Sequence, residues 1–168
     1  MKFVIFLKNI WIFRKFLWYY RWWDFVFILQ SLKYSIKNSE KNLRKKGNEI
    51  ELSRFKKCDK MKRAVDIIDH IINYNYIELA EKELNKNIIN KGFYFLPIEN
   101  SDSYEMLNNL DDYENNHNNE IYKKSDEIEE KEWNELINIL KGQDYSKFDK
   151  NKDWDEQFDG SGLRNWWD

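Results

Sequence analysis

Asp149, Asn151, Asp153 and Asp155 stand at alternate positions, the spacing that sets oxygen ligands around calcium in a helix–loop–helix site. That loop also needs glycine at its sixth position for a sharp turn and a bidentate glutamate at its twelfth. Trp154 and Gly160 occupy those places, so the segment reads as an acidic loop facing water. Asp66 and His70 lie four residues apart with Asp69 beside them, a spacing that suits a metal or an acid–base pair on one helix face. Completing such a site needs carboxylates from another helix, for which Glu129 and Glu132 are the candidates. The group falls opposite the apolar seam of its own helix and so reads as a solvated face. His117 is assigned to a loop.

The remaining reactive groups lack an activating context. Cys58 is the one cysteine, which rules out an intrachain disulfide, and it sits on an apolar seam where a buried thiol is inert. Gly160-x-Gly162 follows no strand and leaves no helix to receive a pyrophosphate. It reads as a turn that carries Trp166 and Trp167 inward, with Arg164 placed to stack on an aromatic face. No catalytic residue, metal site or cofactor is assigned, and the chain is expected not to be an enzyme.

The elements that would position any surface begin with residues 1–30, which hold 12 of the 29 aromatic side chains and no Gly or Pro. One long helix is expected from Met1 to Gln30, continuing in more polar form to Arg44-Lys45-Lys46 and stopped by Gly47. Ile5, Ile12, Phe16, Tyr19, Trp23, Phe27 and Tyr34 form an uncharged stripe that should face the core. The flanks mix tryptophans with cations. From them come the candidate binding residues Lys8, Trp11, Arg14, Lys15, Trp18, Arg21 and Trp22, joined by the Arg44, Lys45 and Lys46 cluster. The cations interrupt every window long enough to cross a membrane, so no transmembrane segment is expected. The apolar run Phe3 to Leu7 is too short for a secretory signal.

Charge is unevenly spread. Residues 1–63 carry 17 Lys+Arg against 5 Asp+Glu, and residues 64–168 carry 11 against 25. Either the halves neutralise each other across the fold, or a basic face is left for an anionic partner.

Further along, Cys58, Met61, Val65, Ile68 and Ile72 are spaced three, four, three and four, a heptad seam for packing on a neighbouring helix. A helix from about Glu51 to Asn73 should therefore run antiparallel to the first, with a short third helix from Tyr76 to near Asn87. Phe93 to Leu96 reads as an extended crossing segment, since no partner strand is visible. Asp102 with Glu105 suggests a capping box and a short helix over Met106 to Leu110, and Asn115 to Asn119 reads as a loop or as the frayed start of the next helix. Asp126 with Glu129 marks the start of a last helix that carries Trp133, Leu136, Ile137 and Leu140 and ends at Gly142, with Glu120 as an earlier possible start.

The ending Gln157-Phe158-Asp159-Gly160-Ser161-Gly162-Leu163-Arg164-Asn165-Trp166-Trp167-Asp168 resembles the C-terminus of a group of uncharacterised bacteriophage-encoded proteins. Lys60-Met61-Lys62-Arg63-Ala64, Glu78 to Leu84, Glu127 to Trp133 and Lys141 to Tyr145 look like segments of the same group. The resemblance implies a phage origin and life in the cytoplasm of a bacterial host. It implies no activity.

The expected architecture is all-α, a bundle of about four helices in a single domain spanning residues 1–168. Residues 99–125 are open to being a flexible insert, and the irregular tail 143–168 is anchored on the body by its tryptophans. The expected role is that of a phage accessory protein acting through protein–protein contacts or self-association. Its alternative is a nucleic-acid-binding accessory protein using the basic, aromatic N-terminal half. Contact with a membrane surface ranks below both.

Overall fold

The computed structural model describes residues 2–19, 21, 24–73 and 76–166, with the side chains of Lys2, Lys15 and Tyr19 left out. Helix α1 spans Lys2–Tyr19 and helix α2 spans Phe25–Lys46. The single long helix expected from Met1 to Gln30 is therefore two. The divide falls at Asp24, whose backbone is extended (φ −105°, ψ 119°) and whose carboxylate accepts from the Val26 amide at 3.0 Å. An N-cap oxygen satisfies an amide that would otherwise have no partner at a helix start, and here it outweighs an uninterrupted apolar run. The far end of α2 follows expectation. Three basic residues fill its last turn, and the Gly47 amide donates to the Leu43 carbonyl at 2.9 Å.

The chain folds as two compact units, residues 1–73 with 134–168, and residues 74–133. In the first, α2 and α3 (Glu51–Asn73) run antiparallel, as the ion pairs Lys33–Asp69 and Arg44–Asp59 require. Leu29, Ile36 and Leu43 repeat every seven residues along the buried face of α2, and the seam of α3 meets them. Cys58, Met61, Val65 and Ile68 are buried, and Ile72 half-buried. Ala64, Ile67 and Ile71 are buried as well, so α3 is covered on a second face and is the centre of this unit. Leu136 and Ile139 near the end of α5 (Asp112–Lys141) add to the core, and Arg63 binds Glu135 through two nitrogens at 2.8 and 2.7 Å.

The tail closes on this core by backbone contact. Gly160 lies so near α3 that a Cβ would sit 2.3 Å from the Lys56 carbonyl carbon and oxygen, and a Cβ on Gly142 would sit 2.6 Å from the Gly162 Cα. Both glycines have positive φ, which costs a residue without Cβ nothing. The Gly162 amide donates to the Ile139 carbonyl at 2.8 Å, and the buried Trp166 indole donates to the Gly160 carbonyl at 2.9 Å. Phe158 is buried with it, and the short helix α6 (Trp154–Gln157) carries Trp154 into a cluster with Tyr145 and Phe148. The inward turn expected for Trp166 is present. Arg164, expected to stack on an aromatic face, is exposed, and Trp167 lies outside the described residues.

In the second unit α4 spans Tyr76–Leu84 and donates the Tyr76 hydroxyl to Glu132 at 2.8 Å. Residues 93–108 correct two expectations. Strand β1 (Phe93–Pro97) is not a lone crossing segment, because β2 (Tyr104–Asn108) pairs with it antiparallel, Phe95 opposite Met106. The stretch proposed as a short helix after Asp102 is that partner strand. Local turn bonds decide the matter: Ile98 donates to Ser103 at 3.0 Å, Ser101 donates to Ile98 at 3.2 Å, and Asn100 takes a left-handed φ of 61°. The fold is accordingly mostly helical with one two-stranded sheet among the described residues. Helix α5 also starts earlier than either expected position. Its capping box is Asp111 with Glu114, each side chain bonding the other's amide at 2.8 and 3.1 Å, whereas Asp126 and Glu129 lie inside the helix. His117 is thereby helical and meets the Asn87 carbonyl at 2.9 Å. Buried Asn118 imitates a strand neighbour, accepting from the Ile89 amide and donating to the Ile89 carbonyl at 2.9 and 2.8 Å.

Candidate functional site

Helix α1 is made of residues that normally fill cores, yet it shows most of them to solvent. Trp18 is 83% exposed, Phe3 69% and Trp11 65%, and Ile5, expected to lead the core stripe, is 51% exposed. Among the described side chains of α1 only Ile12, Phe13 and Phe16 turn partly inward. Tyr34 on α2 holds this inner side, donating its hydroxyl to the Ile12 carbonyl at 2.6 Å with its ring 5.3 Å from that of Phe13. Covering a large apolar side chain is worth about 1.5–3 kcal/mol, so α1 leaves substantial stabilisation unused. Exposed apolar area of this extent makes α1 a candidate contact surface.

Lys8, Arg14 and Arg21 are exposed, and among the described residues none of them makes an ion pair. The Arg14 guanidinium lies 4.7 Å from the centre of the Trp11 ring. Trp22 and the Lys15 side chain, both proposed for this surface, lie outside the described residues, as do Trp23 and the Tyr19 side chain from the stripe.

The second proposed cluster is of another kind. Arg44 binds Glu40 and Asp59 at 2.5 and 3.0 Å, and these carboxylates raise its already high pKa. It belongs to the α2–α3 packing, while Lys45 and Lys46 remain exposed. They sit at the end of α2 remote from Asp24, about 33 Å away along a 22-residue helix.

Several members of the constellations that could have carried chemistry make structural bonds. Asp155 accepts from the Ser53 hydroxyl, and the Asp149 carboxylate accepts from the Asn151 amide at 2.9 Å. Asp69 is paired with Lys33. Cys58 is fully buried, its Sγ 3.8 Å from the Glu40 carbonyl oxygen, and burial pushes the thiol's pKa up. Burial and then the Glu132 hydrogen bond likewise raise the pKa of Tyr76.

A cleft of about 590 Å³ opens between residues 48–57 and the tail. Ser53, Lys57, Trp154, Asp155, Arg164 and Asn165 line it together with Glu49, which pairs with Lys57. The groups of its lining able to act as base or nucleophile pair with one another, Ser53 with Asp155 and Lys57 with Glu49.

The surface that the sequence did not announce is the hairpin. Nine of its ten strand residues are exposed, both strands have a free edge, and one face presents Phe93, Phe95, Tyr104 and Met106 together. The Phe93 and Phe95 rings meet edge to face at 5.5 Å. The signal available was the short alternation Tyr104-Glu105-Met106, which the acidic residues around it obscured.

Comparison with protein-family models, with curated proteins and with solved structures found no match to this chain.

Proposed function

We propose that this chain is a non-enzymatic interaction protein that works through protein–protein contact, with self-association at the hairpin as its form. The observation that carries the reading is the exposed aromatic face of β1 and β2, flanked by two edges that no described strand pairs. An open edge offers backbone donors and acceptors to an added strand, and alternate side chains give the pairing its specificity. No reaction is proposed: Cys58, Asp69 and Asp155 are engaged in helix pairing and tail docking. The likeness of the tail to phage-encoded proteins supports a phage origin and action in a bacterial host's cytoplasm. The rival nucleic-acid reading loses Arg44 to its ion pairs.

Light scattering on the purified protein tests this reading. The mass of the wild type should rise above that of a monomer with concentration, and the double variant Phe95→Lys, Tyr104→Lys should remain monomeric with unchanged helical circular dichroism. A wild type that stays monomeric throughout, or a variant that assembles equally well, would sink it.

A further inference from the structure

We propose that α1 is an interfacial helix whose partner is an anionic lipid surface. Around a helix at 100° per residue, Val4, Leu7, Trp11 and Trp18 fall within about 60° of one another. All four are exposed. Lys8 stands on one flank of this ridge and Arg14 on the other, with exposed Phe3, Ile10 and Leu17 beyond Arg14, and Arg21 follows the end of the helix. Opposite the ridge are Ile12, Phe13 and Phe16, the side that Tyr34 holds. The outward side is therefore a broad apolar and indole surface with Arg14 set within it and Lys8 at its border. Indole rings settle at the boundary between acyl chains and headgroups, and lysine and arginine stems reach back to phosphate.

Charge selects the partner. Residues 2–23 hold five Lys+Arg and no Asp or Glu, whereas residues 64–168 hold 25 Asp+Glu against 11 Lys+Arg. An anionic surface would attract the α1 segment rather than the acidic residues 64–168. A second α1 would set five cations against five, which opposes self-pairing of this helix. Single-stranded nucleic acid could use the tryptophans and cations, but it offers nothing to exposed Val4, Ile5, Leu7, Ile10 and Leu17, which stack on no base. Lipid takes all three kinds of side chain. The helix lies on the surface rather than through it, since no described helix is long and apolar enough to cross a membrane.

Flotation of the full-length protein with vesicles tests the proposal, using phosphatidylcholine alone and phosphatidylcholine with about one-third phosphatidylglycerol. Binding to the anionic vesicles should exceed binding to the neutral ones at least tenfold, at about the 1 kcal/mol that each basic residue adds near such a surface, and should weaken in high salt. Lys8→Glu with Arg14→Glu and Arg21→Glu, or Trp11→Ser with Trp18→Ser, should abolish it and leave the melting temperature unchanged. Equal flotation with both vesicles, or none with either, would overturn the proposal. So would a salt-sensitive shift of single-stranded DNA lost in the same variants without flotation, which would assign α1 to nucleic acid. Hairpin variants should float normally, which keeps this test separate from that of self-association.

Discussion

Asp159 shows how single residues hold the tail. Burial alone would raise its pKa, but hydrogen bonds from the Ser161 hydroxyl at 2.6 Å and amide at 2.8 Å, with Lys60 at 3.3 Å, outweigh it and hold the carboxyl below its usual range. A carboxylate depressed in the folded state stabilises it fully above the unfolded value of about 4 and loses that contribution as pH falls through the lower folded value. The melting temperature of the wild type should therefore drop from about pH 5 toward pH 2 more steeply than that of Asp159→Asn. The two curves, apart at neutral pH, should converge in acid; parallel curves would contradict this assignment. At this scale the sequence was partly readable. The Gly47 stop and the burial of Cys58 followed from composition and spacing, whereas the Asp24 cap did not, because a capping oxygen competes silently within a run of apolar side chains.

Among the elements, the tail is joined to α3 by a backbone approach that only glycine permits. Gly160 has φ +88° and no room for a Cβ against Lys56 and Lys57. Gly160→Ala should cost about 2–3 kcal/mol by chemical denaturation, through overpacking and a disfavoured dihedral together. A loss below about 0.5 kcal/mol, the range of an ordinary surface change, would mean that the tail does not close on α3 this way. The turn at Gly160-x-Gly162 was legible in the sequence, but its docking place was not. A glycine shows where the chain can come close and leaves open what it approaches. The hairpin was hidden for a related reason. The turn bonds of Ile98, Ser101 and Ser103 set its register, and they compete with a capping pattern at Asp102 and Glu105 that looks equally helical. Helix α5 illustrates the same competition, since the Asp126 and Glu129 pattern is genuine as a motif and idle inside a longer helix.

Across the whole molecule, the fold divides its apolar residues between a core that α3 organises and two surfaces that no described residue fully covers, α1 and the hairpin face. The cations and aromatics singled out in the sequence include residues exposed on the first of these surfaces, and of the expected core stripe Ile12, Phe16, Phe27 and Tyr34 are half-buried while Ile5 is exposed. Periodicity reports which residues share a face and not whether another element arrives to cover it. The central claim, that α1 stands outside the cooperative core and is free to dock, is open to direct measurement by amide hydrogen exchange with mass spectrometry on the full-length protein. Peptides from Lys2–Tyr19 should exchange far faster than those covering Cys58 to Ile71 in α3. Protection of α1 equal to that of α3 in the free protein would place the helix in a core and contradict the account.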